Sequence, residues 1–388
     1  MAEPPALHIL VLADRDWTHP QGGGTGTHLF GLVSRWIAWG HRVTVVAGDH
    51  PGAAPRERPA PNLELRHAGS RLTVFPRAAW LVKRGAIADV DVVLELVNGI
   101  AFFTPLWRLR TPRVAMVYHV HRDMYVEELG RPGAAAAWAL ETLPLRRLYA
   151  GTPFLTISRA ARDGLVRLGV AAEDITVVYP GVESGAFHAG PRAERPMLLY
   201  LGRLKRYKRL EVLLDVTAAL PDATLHIAGD GDHRPALEAE IAARGLTGRV
   251  TLHGHVDEAT KRELLAAAWV ALSASSAEGW GLTVMEAAAC GTPTAALPVG
   301  GLRESIVDGE TGVLAPDPPA LTDAVRRLLA DRAARERMGA AARARAEAFS
   351  WDRAAAETLE VLLAARAGAS ARQQQVTLAG PAPAGRRA

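Results

Sequence analysis

Short apolar runs recur along this chain, and between them lie stretches with the 3.6-residue spacing of helices. Residues 8–13 (HILVLA) form the first run and read as a buried strand. A polar loop over 14–24 leads to Leu29, Leu32, Val33, Trp36 and Ile37, a helical spacing closed by Gly40. Residues 41–47 (HRVTVVA) make the next strand. Strand, glycine loop, helix and strand compose a βαβ unit, so a parallel sheet is expected. Runs at 91–95, 113–118, 154–157 and 175–179 continue the series. A polar stretch with Gly, Pro and Arg over 183–195 reads as a linker. A second series follows at 197–201, 223–228, 250–252, 270–272 and 294–297. Two such series predict two Rossmann-like α/β domains facing across a cleft, with ligands outside the carboxyl ends of the strands. The boundaries read as 1–187, 188–350, a final helix over 351–366 returning to the first domain, and a disordered tail over 367–388.

Composition fits this picture. The chain has 388 residues, 49% hydrophobic and 22% charged, the range of a globular protein with two cores. No apolar run reaches the roughly eighteen residues of a membrane span. The start, MAEPP, lacks the basic and apolar regions of a signal peptide. Cys290 is the single cysteine, which excludes an internal disulfide and makes a cysteine zinc site unexpected. A cytoplasmic location is the expectation. The +4 charge and pI near 9.4 come from a small arginine excess, and aromatics are 6%. Without a stacking array, nucleic acid is not an expected partner.

The densest chemistry lies at 278–286, EGWGLTVME, followed by AAACGTP. Glu278 and Glu286 stand eight positions apart, with Gly279, Trp280 and Gly281 beside the first. A helix is expected from Leu282, stopped by Gly291 and Pro293. Glu278 then precedes the first turn, where free N–H groups and the positive dipole end attract anions. One carboxylate can hold hydroxyls near such an anion and the other hydroxyls beyond it, as in a sugar joined through a diphosphate to a ribose. Spacing alone leaves equally open a plainer reading, with Glu278 on a surface loop and Glu286 capping or solvating a helix. Met285, Ala287, Ala288, Ala289 and Cys290, however, surround Glu286 with buried-type residues, and a buried carboxylate needs partners. The stretch resembles the Glu-x7-Glu signature of family 4 retaining glycosyltransferases.

Other candidate sites end strands. Residues 202–209 (GRLKRYKR) place five cations in seven positions after the first strand of the second series. Such a run suits a diphosphate, though a solvated charge run is the plainer reading. It resembles the same family's GRL…K element, which implies Arg203 and Lys208 on the phosphates after Gly202, with Lys205 the alternative to Lys208. Gly22, Gly23, Gly24 and Gly26 precede a helix and can bring backbone N–H groups to a phosphate. A dinucleotide fingerprint ending on Asp49 is rejected, because the glycines start roughly nine residues after the strand and Leu29 replaces the third glycine. The loop resembles the family's N-terminal glycine loop, which closes over donor and acceptor. His119 and His121 follow a strand without a third metal ligand nearby. The resemblance places His119 near the transferred sugar, with His121 the second choice. Glu95 and Asn98 are candidates for the acceptor side. His253, Gly254 and His255 resemble the element beside the nucleotide base. Gly229 to Gly231 and 298–304 resemble further elements, with Gly300 and Gly301 allowing close backbone approach to a ligand.

The resemblance covers about residues 7–365 and implies a GT-B, metal-independent, retaining hexosyltransferase-type enzyme without a cofactor. Its partners would be a nucleotide-sugar donor and a glycan, lipid-linked or small-molecule acceptor. His119, Glu278, Arg203 and Lys208 are the catalytic candidates. Rival readings are a UDP-sugar 2-epimerase of the same fold and a non-catalytic sugar-nucleotide binder. Trp80, Lys83, Arg84, Trp107, Arg108, Arg110, Arg113, Arg146 and Arg147 would dock on anionic lipid at the inner membrane face if they share one surface. A scattered solvated surface is the plainer expectation.

Overall fold

The computed structural model describes residues 6–378, apart from the side chains of 122–124, 126–129 and 369–378. Apolar runs buried on both faces become strands of two sheets. The first sheet contains β1 (His8–Leu12), β2 (Arg42–Ala47), β3 (Arg56–Ala60), β4 (Leu63–His67), β5 (Val92–Val97), β6 (Arg113–Val117), β7 (Phe154–Thr156) and β8 (Ile175–Val177). Its order is β3-β4-β2-β1-β5-β6-β7-β8, parallel except for the β3–β4 pair. The second contains β9 (Met197–Leu201), β10 (Thr224–Ala228), β11 (Val250–Gly254), β12 (Val270–Ser273), β13 (Thr294–Ala296) and β14 (Gly312–Leu314). Its order is β11-β10-β9-β12-β13-β14, and all its pairs are parallel.

Strand order reverses at β1/β5 in one sheet and at β9/β12 in the other, and such switch points open the crevice where α/β sheets take ligands. Asp14, Asn98 and His119 follow β1, β5 and β6, whereas Gly202 and Glu278 follow β9 and β12. Candidate residues from both sheets therefore converge on one cleft. A shared apolar cluster joins the two halves, running from Tyr118 and Ile157 to Trp280 and Met285. Glu304 adds a polar tie. Its carboxylate accepts from the backbone N–H groups of Arg159 at 2.9 Å and Ala160 at 2.8 Å, and from the Tyr179 hydroxyl at 3.0 Å. A carboxylate at a helix N-terminus is favourable, and this one crosses between domains.

The helix Trp351–Leu378 lies against the helix Gly23–Ala38 and against β5 and β6, on the first sheet. Trp36 Nε1 donates to Ala355 O at 3.0 Å, and Arg35 pairs with Asp352 at 2.9 Å. A Cβ on Gly31 would stand 2.4 Å from the Trp351 ring, so only hydrogen fits between these helices. The final helix extends past the expected end at 366, through Ala, Arg and Gln, which favour helix. Residues 379–388 of the expected tail lie outside the described residues.

Two expectations need correction. Trp107 is buried, and its Nε1 donates to Phe102 O at 3.1 Å, so it cannot join a lipid-facing surface. Trp80 is exposed, with the Arg84 guanidinium 4.4 Å over its ring. No helix among the described residues is long and apolar enough to cross a membrane. Glu95 does not line an acceptor site. It is fully buried in β5 and accepts 2.5 Å hydrogen bonds from Phe102 N, Thr104 Oγ1 and Tyr149 OH. Those donors offset the cost of burying a carboxylate.

Candidate active site

Lys208 sits at the end of the turn Arg206–Lys208, after β9, and its ammonium donates to Glu278 Oε1. Ser275 Oγ donates to the same oxygen at 3.0 Å. Burial disfavours the ammonium most strongly, but the Glu278 charge, the Tyr207 and Tyr200 rings and the Glu278 hydrogen bond together outweigh it, and Lys208 is held protonated. Lys205 instead reaches out to Asp232 at 2.5 Å and is partly exposed. Geometry therefore selects Lys208 over Lys205 as the cation facing the cleft. Arg203 lies beside the glycine run, its Nε 3.3 Å from the position of a Cβ on Gly23. A Cβ on Gly24 would meet Leu282 Cδ1 at 3.4 Å. The glycine run of one domain thus touches both the cation loop and the first turn of the helix Leu282–Ala289 of the other. These glycines open a helix, Gly23–Ala38, rather than forming a free loop.

The Glu278 loop is fixed by glycine contacts. Gly301 N donates to Glu278 O at 2.9 Å, and a Cβ on Gly300 would stand 2.0 Å from that oxygen. Gly279 passes under the first domain, where its Cβ would be 3.0 Å from Tyr118 O and 3.7 Å from His119 Nδ1. Gly281 adopts a positive φ at the helix start. Trp280, expected at the donor, turns its ring into an aromatic cluster, 4.8 Å from Tyr179 and 5.2 Å from Phe349. Glu286 is buried and accepts from Lys261 Nζ at 2.8 Å. The cavity lined by Glu278, Lys208 and Tyr200 is continued by Thr283 and Val284, not by Glu286. Lys261 gave no sequence signal, since it sits on a charged helix, Glu258–Ala267.

His119 is half-buried after β6, with its ring 4.0 Å from that of His121. Burial first, then His121, Lys208 and Arg203, hold its pKa well below the usual histidine value despite Glu278. It is neutral at pH 7 and suited to hydrogen-bonding a hydroxyl. His121 turns away to Glu141, its Nδ1 2.7 Å from Oε1. His253 contacts His226 at 2.9 Å on β11, the edge strand, and Gly254 O accepts from Gly229 N at 2.7 Å. His255 is exposed. A further group went unread in the sequence. Asp14, at the β1 switch point, is approached by Arg15 at 3.1 Å and by Arg71 and Asn98 at 3.5 Å. The run Asp14-Arg15-Asp16 just after β1 was the available signal.

The His121–Glu141 pair gives a pH prediction. Burial pushes Glu141 up to about 8 and His121 down to about 4, so the folded pair keeps one proton between those values. The unfolded pair also holds one proton between roughly pH 4.5 and 6.5, and none above. Folded stability from this pair should fall as pH rises from 6.5 to 8, by about 2 kcal/mol. Glu141→Gln should flatten that decline in urea titrations. An unchanged slope would remove the pair as its source.

The model of "Glycosyl transferases group 1" matches residues 186–345 and that of "Glycosyltransferase Family 4" matches 22–185. The chain is 29% identical over 408 aligned positions to a glycogen synthase of Mycobacterium tuberculosis (strain ATCC 25618 / H37Rv), covering 93% of this chain and 96% of that one. It is 36% identical to the alpha-D-kanosaminyltransferase of Streptomyces kanamyceticus over 268 positions, 62% of this chain and 68% of the relative. Sucrose-phosphate synthase of Thermosynechococcus elongatus superposes with TM-score 0.81 at 21% identity, covering 96% of this chain and all of that one. Anabaena HepE in complex with UDP-glucose superposes with TM-score 0.73 at 20% identity, covering 92% of this chain and all of that one. These likenesses show the GT-B fold. With both halves matched by the family models and a 36%-identical transferase aligned over 68% of its length, the chain belongs to the family 4 glycosyltransferases.

Proposed function

We propose that this glycosyltransferase holds the diphosphate of a nucleotide-sugar donor between Arg203, Lys208 and the first turn of the Leu282 helix, and transfers the sugar with retention of configuration. The observation that carries this reading is the meeting of Arg203, Gly23, Lys208 and Glu278 at the switch points of two facing sheets. Arg203 and Lys208 would stabilise charge building on the leaving phosphate, and no metal is required at the diphosphate if they balance it. Glu278 would exchange its contact with Lys208 for sugar hydroxyls, releasing the ammonium to phosphate. Glu286, held by Lys261, would meet hydroxyls on the ribose side. The cleft face built by Asp14 and Asn98 would receive the acceptor.

Retention fits the placement of His119. An inverting reaction needs a base on the acceptor side, and a neutral His119 packed over Gly279 sits instead with the donor loop. In the retaining route the leaving phosphate oxygen accepts the acceptor's proton on the same face, and the acceptor oxygen replaces the phosphate oxygen at the anomeric carbon. His119→Ala should keep measurable transfer, and an α-linked donor should give an α-glycoside by proton NMR of the fresh product. A β-product, with transfer abolished in His119→Ala at every pH, would replace this route by an inverting one.

A further inference from the structure

Asp16 and His50, beyond the ends of β1 and β2, meet His67 at the end of β4, and each offers a ligand atom within 4.8 Å of the other two. Asp16 and His67 are buried and His50 is partly so. None belongs to the proposed donor site. The hydrogen bonds fix which nitrogens carry protons. His67 Nδ1 lies 2.8 Å from Ala54 O, and His50 Nδ1 lies 3.1 Å from Pro51 O. A carbonyl only accepts, so both Nδ1 atoms donate, and in the neutral rings both Nε2 atoms present lone pairs.

Both lone pairs face the corner formed by Asp16 and Thr18. His67 Nε2 stands 2.9 Å from Asp16 Oδ2. His50 Nε2 stands 3.0 Å from Thr18 Oγ1, a hydroxyl that also lies 2.7 Å from Asp16 Oδ1 and can donate to either. Without a metal, the Thr18 hydroxyl can donate to His50 Nε2 and one extra proton on His67 pairs it with Asp16. The two imidazole ring centroids are 5.3 Å apart. A divalent cation meets the same lone pairs and the carboxylate together. The backbone carbonyls behind each Nδ1 are the outer contacts that orient metal-binding histidines.

We propose that Asp16, His50 and His67 form a site for a divalent transition metal of the zinc class, with two imidazoles, one carboxylate and the remaining position left to water. Imidazole and carboxylate together suit zinc or cobalt, whereas magnesium prefers oxygen alone. Tetrahedral bonds near 2.0–2.1 Å set ligand atoms about 3.4 Å apart, so small side-chain rotations complete the geometry. The site is structural rather than catalytic. It ties the segment after β1 to the ends of β2 and β4. Asp16 O in turn stands 2.7 Å from the place of a Cβ on Gly22, so the metal anchors the approach to the glycine run.

The test uses the full chain, stripped with chelator and dialysed. Calorimetry with Zn2+ should give one site per chain, and Co2+ should give visible d–d absorption that Zn2+ abolishes. Mg2+ should give neither signal. His50→Ala, at a partly exposed position, and Asp16→Asn should each weaken Zn2+ binding at least tenfold, with circular dichroism confirming the fold. Absence of saturable Zn2+ binding by the wild type would overturn the site and leave His67 as an imidazolium on Asp16. Equal affinity in folded His50→Ala would overturn it as well.

Discussion

Lys208→Ala is expected to lower kcat/KM by about 10²–10³-fold, the effect of deleting one preorganised donor to developing charge, equivalent to about 2.7–4 kcal/mol. Two losses combine. The leaving phosphate loses a partly buried, protonated cation, and Glu278 is left in the cleft without its ammonium partner. Donor KM should rise and kcat should fall together, because the contact strengthens as charge moves onto the phosphate. Circular dichroism should show an intact fold, and steady-state kinetics with a cognate donor decides the matter. Wild-type turnover in this variant would remove Lys208 from the site. Lys205→Ala is the contrast, since Lys205 pairs outward with Asp232 and should change turnover little.

Gly300→Ala is expected to cost about 3 kcal/mol of stability and most of the activity. Its φ is +46°, and the added Cβ would stand 2.0 Å from Glu278 O. Left-handed strain accounts for about 1–2 kcal/mol and the steric clash for about 1–3 kcal/mol. Relief requires moving the Glu278 loop, which carries the carboxylate away from Lys208. Gly309→Ala supplies the control, with φ at +75° and nothing within 4 Å of the added Cβ. It should show the strain alone and leave activity unchanged. Guanidinium unfolding and a turnover assay on both variants compare them directly. Equal activity in the two would detach the Gly300 contact from the site.

The strands that were legible in sequence are the buried parallel ones, because burial on both faces writes a continuous apolar run. Residues 197–201 read as a strand and are β9. The strands β3, β4 and β14 escaped. RERPA, the edge strand, carries charges and a proline, LELRH interrupts its leucines with charges although it lies inside the sheet, and GVL is too short to stand out. Site loops were legible where local chemistry is dense. GRLKRYK and EGWGLTVME concentrate cations, carboxylates and glycines that backbone proximity demands. Partners far along the chain were not. Glu95 ends an apolar run and resembled a cleft residue, yet its donors Thr104 and Tyr149 come from other elements. Lys261 and Glu141 likewise look like solvated helix residues until the fold brings them to Glu286 and His121.

The central claim is that the donor diphosphate lies between Arg203 and Lys208. Calorimetric titration of the nucleoside diphosphate preferred from a UDP, GDP and ADP panel tests it directly, in the wild type and in Arg203→Ala/Lys208→Ala. Each charge-assisted hydrogen bond to phosphate is worth about 1.5–3 kcal/mol, so the double variant should bind at least about 100-fold more weakly. Equal affinity in the folded double variant would place the diphosphate elsewhere and contradict the account.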